Sequence, residues 1–218
     1  DLRKVPYWVR EFFHKETLRE IIAWVKVLED NHSYFLISCL LGILHHQRPG
    51  FLSFPSSHTV PYLRIKKFPK KKFPELYEYR DVKSRLIKKT IRAFKRVPLL
   101  PEDIFRLCFN EDATNLVIDQ KIDAVISSPP YMRQLDYARD NRLRLWFLDV
   151  QDFKSLDKKI SPGEDYFLKL MKGCLLQWKY ILRDGGKCIL FLGDNYSKKY
   201  DMRLPEVLEQ IASNEVGG

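Results

Sequence analysis

Glycine is scarce in this chain, and its spacing binds no phosphate. There are nine glycines among 218 residues, and no two of them make a G-x-G pair. The phosphate-cradling G-x-x-x-x-G-K and the hydrolase elbow G-x-S-x-G are missing too, which excludes those nucleotide and serine-nucleophile chemistries. Cysteine is sparse: Cys39, Cys108, Cys174 and Cys188, with no C-x-x-C and no histidine at ligand spacing. Neither a disulfide framework nor a zinc site is expected, and the thiols read as reduced and mostly buried. His45-His46 and His58 have no acids or thiols at ligand spacing, so no metal is expected. No apolar run approaches the ~18 residues of a membrane span. The longest, Tyr34 to Leu44, is broken by Ser38, Cys39 and Gly42 and reads as a buried helix. No secretory signal opens the chain. These absences point to a cytoplasmic protein with no membrane partner.

What is present is a globular composition, 45% hydrophobic and 30% charged, with a net charge of +10. An excess of this sign favours a polyanionic partner. It is concentrated in one place. Arg64 to Arg96 holds 14 Lys and Arg against three acids, and the rest of the chain is close to neutral. Phe68, Phe73, Tyr77, Tyr79 and Phe94 interleave with these bases. Pro69 and Pro74 forbid a continuous helix through the first half. From Asp81 onward the spacing predicts a helix, with Val82, Leu86, Ile87, Ile91 and Phe94 on one side. Such a segment is either a solvated loop and helix or a surface that contacts phosphates. In the second reading Lys66, Lys67, Lys70, Lys71, Lys72, Lys88, Lys89 and Arg92 line the nucleic-acid side, and binding falls steeply with salt.

Along the chain, Thr17 to Asp30 reads as an amphipathic helix and Ser33 as the cap of a second helix reaching about His46. Residues 1–97 thus form a helical and basic region. The character changes near Pro98. Ile104 to Phe109 reads as a strand. Ile122 to Ser127 is a short apolar run, as a buried parallel strand would be. Leu135 to Val150 is helical. A strong amphipathic helix spans Phe167 to Leu182, with Asp184-Gly185-Gly186 as its stop. Cys188 to Leu192 is another buried strand, and Leu204 to Ala212 begins one more helix. Residues 98–218 therefore read as an α/β layered domain with a mostly parallel sheet. Trp8, Trp24, Trp146 and Trp178 sit in helical patterns and read as core.

The stretch with most chemical content is Ser127-Ser128-Pro129-Pro130-Tyr131. A strand delivers it at its carboxyl end, where open α/β sheets bind ligands. The Ser-Pro-Pro-Tyr spelling resembles the catalytic motif of DNA amino-methyltransferases, the N4-cytosine and N6-adenine group, and is typical of the cytosine members. Asp112-Ala113 ahead of the strand resembles a block that lies near the cofactor's adenine in that family. Ile181 to Lys187 resembles its helix–glycine turn–strand step. Leu135-Asp136-Tyr137 with Leu143 to Trp146 resembles the family's segment downstream of the motif. The likeness covers roughly Pro98 to Ala212.

The resemblance implies a partial Rossmann-like, S-adenosylmethionine-dependent fold with an N-terminal helical insertion. It implies methyl transfer to the exocyclic amine of a base flipped from double-stranded DNA, with cytosine N4 the expected position. The physical chemistry agrees. An exocyclic amine is a poor nucleophile because its lone pair is delocalised into the ring. Ser128 and the Pro129 carbonyl would accept hydrogen bonds from it, two prolines stiffen the loop, and Tyr131 offers a ring for stacking. No cysteine lies in the motif, which argues against carbon-5 methylation. Asp112, Ala113 and Ser127 are the expected cofactor contacts.

The glycine turn and acidic strand end that would hold most of that cofactor are not in these 218 residues. Asp1 and the close on Val216-Gly217-Gly218 read as cut ends, with the missing half expected before Asp1 or after Gly218, the upstream placement favoured. This chain alone is therefore expected to be inactive and to bind S-adenosylmethionine at about the millimolar level or weaker, roughly −4 kcal/mol. A partner, such as a second copy, is expected to cover the edge of an incomplete sheet. The alternatives are a non-catalytic nucleic-acid-binding module, an N6-adenine enzyme and an RNA base methyltransferase.

Overall fold

A computed structural model describes residues 1–55, 63–95, 97–131, 137–150, 152–160 and 163–217. Its contacts divide the chain into two units. The first is Asp1–Pro101 with Ala138–Lys154, and the second is Glu102–Tyr137 with Ser155–Gly218.

In the first unit, α1 (Tyr7–Arg10) leads into α2 (Lys15–Asp30). Leu18, Ile21, Val25 and Leu28 recur at helical spacing along α2 and all four are buried. The next helix, α3 (Tyr34–Leu41), is apolar almost throughout and stops earlier than its sequence suggests. The chain turns back instead: Leu52 N donates to the Ile43 carbonyl, and His46 N to that of Ser53. Ser33 makes no side-chain cap; its hydroxyl reaches the Asn31 carbonyl at 3.4 Å. Two short elements, α4 (Leu63–Lys67) and a 3-10 turn at Pro74–Tyr77, occupy the proline-broken half of the basic segment.

Helix α5 (Val82–Phe94) comes next, capped by the Asp81 carboxylate on Ser84 N at 2.7 Å. Its entry is fixed by α2. Thr17 donates its hydroxyl to the Arg80 carbonyl and accepts from Arg80 N, both bonds buried. Glu20 accepts from Val82 N at 3.0 Å and from the Tyr79 hydroxyl at 2.5 Å. Val82 and Leu86 then enter the core, each contributing about 1.5–3 kcal/mol of burial.

The expected division at Pro98 differs from the structure in one element. Helix α6 (Tyr137–Phe147) sends Leu143 and Phe147 into the core of the first unit. Arg144 on α6 donates to the Leu41 carbonyl, closing the end of α3, and Arg142 stacks over Trp8 at 4.2 Å. The apolar pattern identified α6 as a helix, but a pattern does not say which core a helix joins.

In the second unit, α7 (Phe153–Ile160), whose first two residues count with the first unit, precedes α8 (Glu164–Ile181) in sequence. Phe167, Met171, Cys174, Trp178 and Ile181 of α8 pack with Leu204, Val207 and Leu208 of α9 (Leu204–Gln210). Strand β1 (Ile122–Ser127) pairs in parallel with β2 (Leu182–Leu190), while β3 (Tyr196–Ser197) and β4 (Met202–Arg203) form a separate antiparallel pair. Ile122, Val125 and Leu190 face the α8–α9 core.

Four further sequence expectations are corrected by the fold. Ile104–Phe109 forms no strand; Phe105 is 78% exposed, and no described strand offers it a ladder. The β1 and β2 strands are covered on one face only, with Ile126, Ile189 and Phe191 exposed on the other. Only two of the thiols, Cys39 and Cys174, are buried, while Cys108 and Cys188 are exposed. Asp184-Gly185-Gly186 does not stop α8. The helix ends at Ile181 and β2 starts at the next residue. The glycines form a bulge, where pairing jumps from Ile122↔Leu182 to Ala124↔Lys187. Gly185 has φ +74°, a left-handed conformation that glycine adopts without steric cost. A Cβ on Gly186 would stand 2.9 Å from the Arg183 carbonyl oxygen and 3.0 Å from Leu182 Cδ2. The bulge therefore requires the Gly-Gly spelling for its own geometry.

Candidate active site

The site is built from the carboxyl ends of two adjacent parallel strands. β1 ends at Ser127, whose carbonyl accepts from Phe191 N at 2.9 Å, one residue beyond β2. The ladder thus runs past both strands and holds the start of the Ser-Pro-Pro-Tyr loop. The Ser128 side chain is exposed, and its hydroxyl points at the Phe191 carbonyl at 3.5 Å, the outer limit of a hydrogen bond. Pro129 is buried, and Pro130 and Tyr131 are half-buried. At the far end Tyr131 N donates to the Tyr137 hydroxyl at 3.0 Å. The loop is therefore held at both ends, by β2 and by the first residue of α6.

Sequence reasoning did not foresee the two residues that hold it. The Phe191 carbonyl leaves no trace in the identity of its side chain. Tyr137 was visible within Leu135-Asp136-Tyr137, but nothing in its spelling says that its hydroxyl serves a backbone amide. Leu135 and Asp136 lie outside the described residues. Leu143 and Trp146 belong to the first unit's core or pack against it, so that part of the likeness has a structural role here.

Ser127 stands beside Ser128, but Asp112 and Ala113 are held elsewhere. The Asp112 carboxylate accepts from Thr114 N at 2.9 Å and Thr114 Oγ1 at 2.7 Å. These bonds hold the carboxyl below the ordinary aspartate range. Thr114 in turn lies against α8 at Gly173, where a Cβ would meet Thr114 Cγ2 at 3.2 Å. Gln177 donates to the Leu116 carbonyl at 2.5 Å. The Asp112–Leu116 stretch is thus strapped along α8, with Asp112 spent on its own turn and Ala113 exposed. Cys174, facing this stretch, has its thiol pKa pushed up by burial and by the Asp112 charge. No glycine cradle accompanies Ser127 and Ser128, so these residues do not by themselves fit S-adenosylmethionine.

The expected nucleic-acid contacts lie in the first unit, in two groups. Lys66, Lys67, Lys70, Lys71 and Lys72 are exposed around a turn at Pro69. Its aromatics brace it internally. Phe68 and Phe73 meet edge to face at 5.5 Å, and Tyr77 donates to the Phe68 carbonyl. Lys88 and Arg92 share one exposed face of α5 at i, i+4. Lys89 does not join them: it is half-buried, and its Cε lies 3.5 Å from the Cβ position of Gly42. Arg80, also within the basic segment, is buried and structural. It donates to the Pro49 and Phe51 carbonyls and stacks over Phe54 at 4.2 Å.

Among the described residues there is no group of His, Cys, Asp or Glu that could hold a metal, and no helix long and apolar enough to cross a membrane. His45 is buried, with Nδ1 3.2 Å from the Ser53 hydroxyl. Compared with known proteins, the chain matches no family model, no curated protein and no solved structure.

Proposed function

We propose that this chain carries the base-binding half of a DNA amino-methyltransferase acting on an exocyclic amine, cytosine N4 in the first instance. The observation that supports it best is the Ser-Pro-Pro-Tyr loop anchored at the carboxyl edge of a parallel strand pair. In this reading Ser128 serves as an acceptor because of Phe191. A hydroxyl has one proton and two lone pairs. With its proton directed at the Phe191 carbonyl, the lone pairs of Ser128 are left for the amine N–H. The Pro129 carbonyl takes the second N–H, and the Tyr131 ring stacks on the extruded base. S-adenosylmethionine supplies the methyl group in such a reaction and would be held by residues other than these. Lys66, Lys67, Lys70, Lys71, Lys72, Lys88 and Arg92 contact DNA phosphates, which position the duplex without reading its sequence.

The test uses the complete gene product, duplex DNA and S-adenosylmethionine with a tritiated methyl group. Label should enter DNA, and mass spectrometry of the digest should find N4-methylcytosine. Ser128→Ala should lower transfer by about tenfold or more, the loss of roughly 1.4 kcal/mol of transition-state hydrogen bonding. No transfer to any duplex overturns the proposal. N6-methyladenine in the digest would move the target to adenine, and transfer to structured RNA alone would move it to RNA. A second reading, a nucleic-acid-binding module without catalysis, is favoured by one observation: Asp112 is committed to Thr114. Binding to duplex DNA without any transfer selects it.

A further inference from the structure

Helix α5 carries two apolar faces where its sequence suggests one. Val82 and Leu86 are buried in the first unit's core. Ile87, Ile91 and Phe94 are exposed by 48, 52 and 62%. At i, i+4 and i+7 they form a single row about 10 Å long. The row continues onto α3, where Phe35 meets Phe94 with ring centroids 5.2 Å apart. Phe35 is itself 48% exposed and Tyr34 beside it 67%. The two helices run antiparallel, with Phe35 opposite Phe94 and Gly42 beside Lys89. Single exposed apolar residues are ordinary, but the joined set of Ile87, Ile91, Phe94 and Phe35 marks a surface that something covers.

Its border narrows what that something is. Lys88, Arg92 and Lys95 are exposed on the solvent side of the row. No acid occurs between Val82 and Lys95, and α3 has no charged residue. A second copy of the chain would bring the same cations against these. A DNA duplex would meet the cations but offers no apolar surface matching Ile87, Ile91, Phe94 and Phe35. A bilayer offers both chemistries, yet membrane binding grows with buried apolar area, and this strip is one side chain wide. That width suits one helix laid along the α3–α5 pair, the helix-in-groove mode of recognition.

We propose that the α3–α5 face docks an amphipathic helix of a partner protein. Its apolar residues at i, i+4 and i+7 cover Ile87, Ile91, Phe94 and Phe35. Acidic residues along one flank meet Lys88, Arg92 and Lys95. This docking does not depend on the methyltransferase reading. The two uses of Lys88 and Arg92 compete, so a bound helix displaces duplex DNA from that part of the surface.

The probe is a fluorescein-labelled synthetic helical peptide with leucines at that spacing and glutamates along one flank. Its anisotropy is followed with the full chain. Saturable binding is expected, weakened about tenfold when the flank is changed to glutamine. The double variant Ile91→Ser, Phe94→Ser removes only exposed side chains. It should weaken the peptide about tenfold, with the circular dichroism spectrum and duplex DNA affinity unchanged. Equal binding of the glutamine peptide, or binding indifferent to Ile91→Ser, Phe94→Ser, overturns the proposal. So does absence of peptide binding together with co-sedimentation on phosphatidylserine vesicles that this variant abolishes. That result assigns the face to a lipid surface.

Discussion

At the scale of single residues, glycines and hydroxyls set the local geometry of the second unit. Gly186 sits where a side chain would press on the Arg183 carbonyl and Leu182 at once. Gly186→Ala should cost about 1–3 kcal/mol of overpacking, read as a lower urea midpoint with an unchanged slope. A neutral result would mean that the bulge can open. In the first unit, the Tyr79 hydroxyl donates to Glu20, and this bond pushes the phenol up to about 12 from its ordinary 10. Folding strengthens proton binding, so the bond's contribution is complete below pH 10 and is lost as pH climbs through about 12. Alkaline difference spectra should show late phenolates, of which the Tyr79 one returns toward pH 10 in Glu20→Gln. Tyr196, raised in the same way by Asp201, should not move in that variant.

At the scale of elements, α2 and α8 were legible because their apolar spacing is regular and their burial matches it, while α5 was legible as a helix but not in which of its apolar residues it buries. β1 was legible because its short apolar run ends in prolines. Other features were not legible because they depend on a partner. Ile104–Phe109 has the residues of a strand and, among the described residues, no strand to pair with. The Gly-Gly pair reads as a helix stop until the register of β1 against β2 shows the bulge. The apolar side chains of α5 form one list in sequence and two faces in space. Of the expected site, Ser127 to Tyr131 is one connected loop, whereas Asp112 is tied to Thr114, a contact two residues away that composition does not announce. The lysines divide at this scale as well. If Lys88 and Arg92 touch phosphates, each change to glutamine should flatten the slope of log K against log salt by about 0.9. Lys89→Gln should leave the slope unaltered, because its stem lies against α3. An equal change for all three would show that the facing of α5 is not what matters.

At the scale of the whole molecule, the described residues form two cores, one around α2, α3, α5 and α6 and one around α8 and α9. Leu143 is buried in the first. Leu143→Ala should destabilise that unit by about 2–5 kcal/mol. Amide exchange should rise in α2, α3 and α5 and stay as it was in α8 and β2. A uniform loss of protection would show that the two units unfold as one.

The return of α6 to the first unit has a consequence during synthesis. Residues through Pro101 leave the ribosome without Leu143, Phe147 or the Arg144 guanidinium that closes α3. That unit cannot complete its core until about 50 further residues have been made. At roughly 5–20 residues per second the delay is about 3–10 s. Meanwhile β1 and its Ser-Pro-Pro-Tyr loop emerge before α8 and β2 exist to pair with them. The nascent chain therefore holds two unfinished cores at once, and sequence order lets the first close before α8, β2 and α9 of the second have been made.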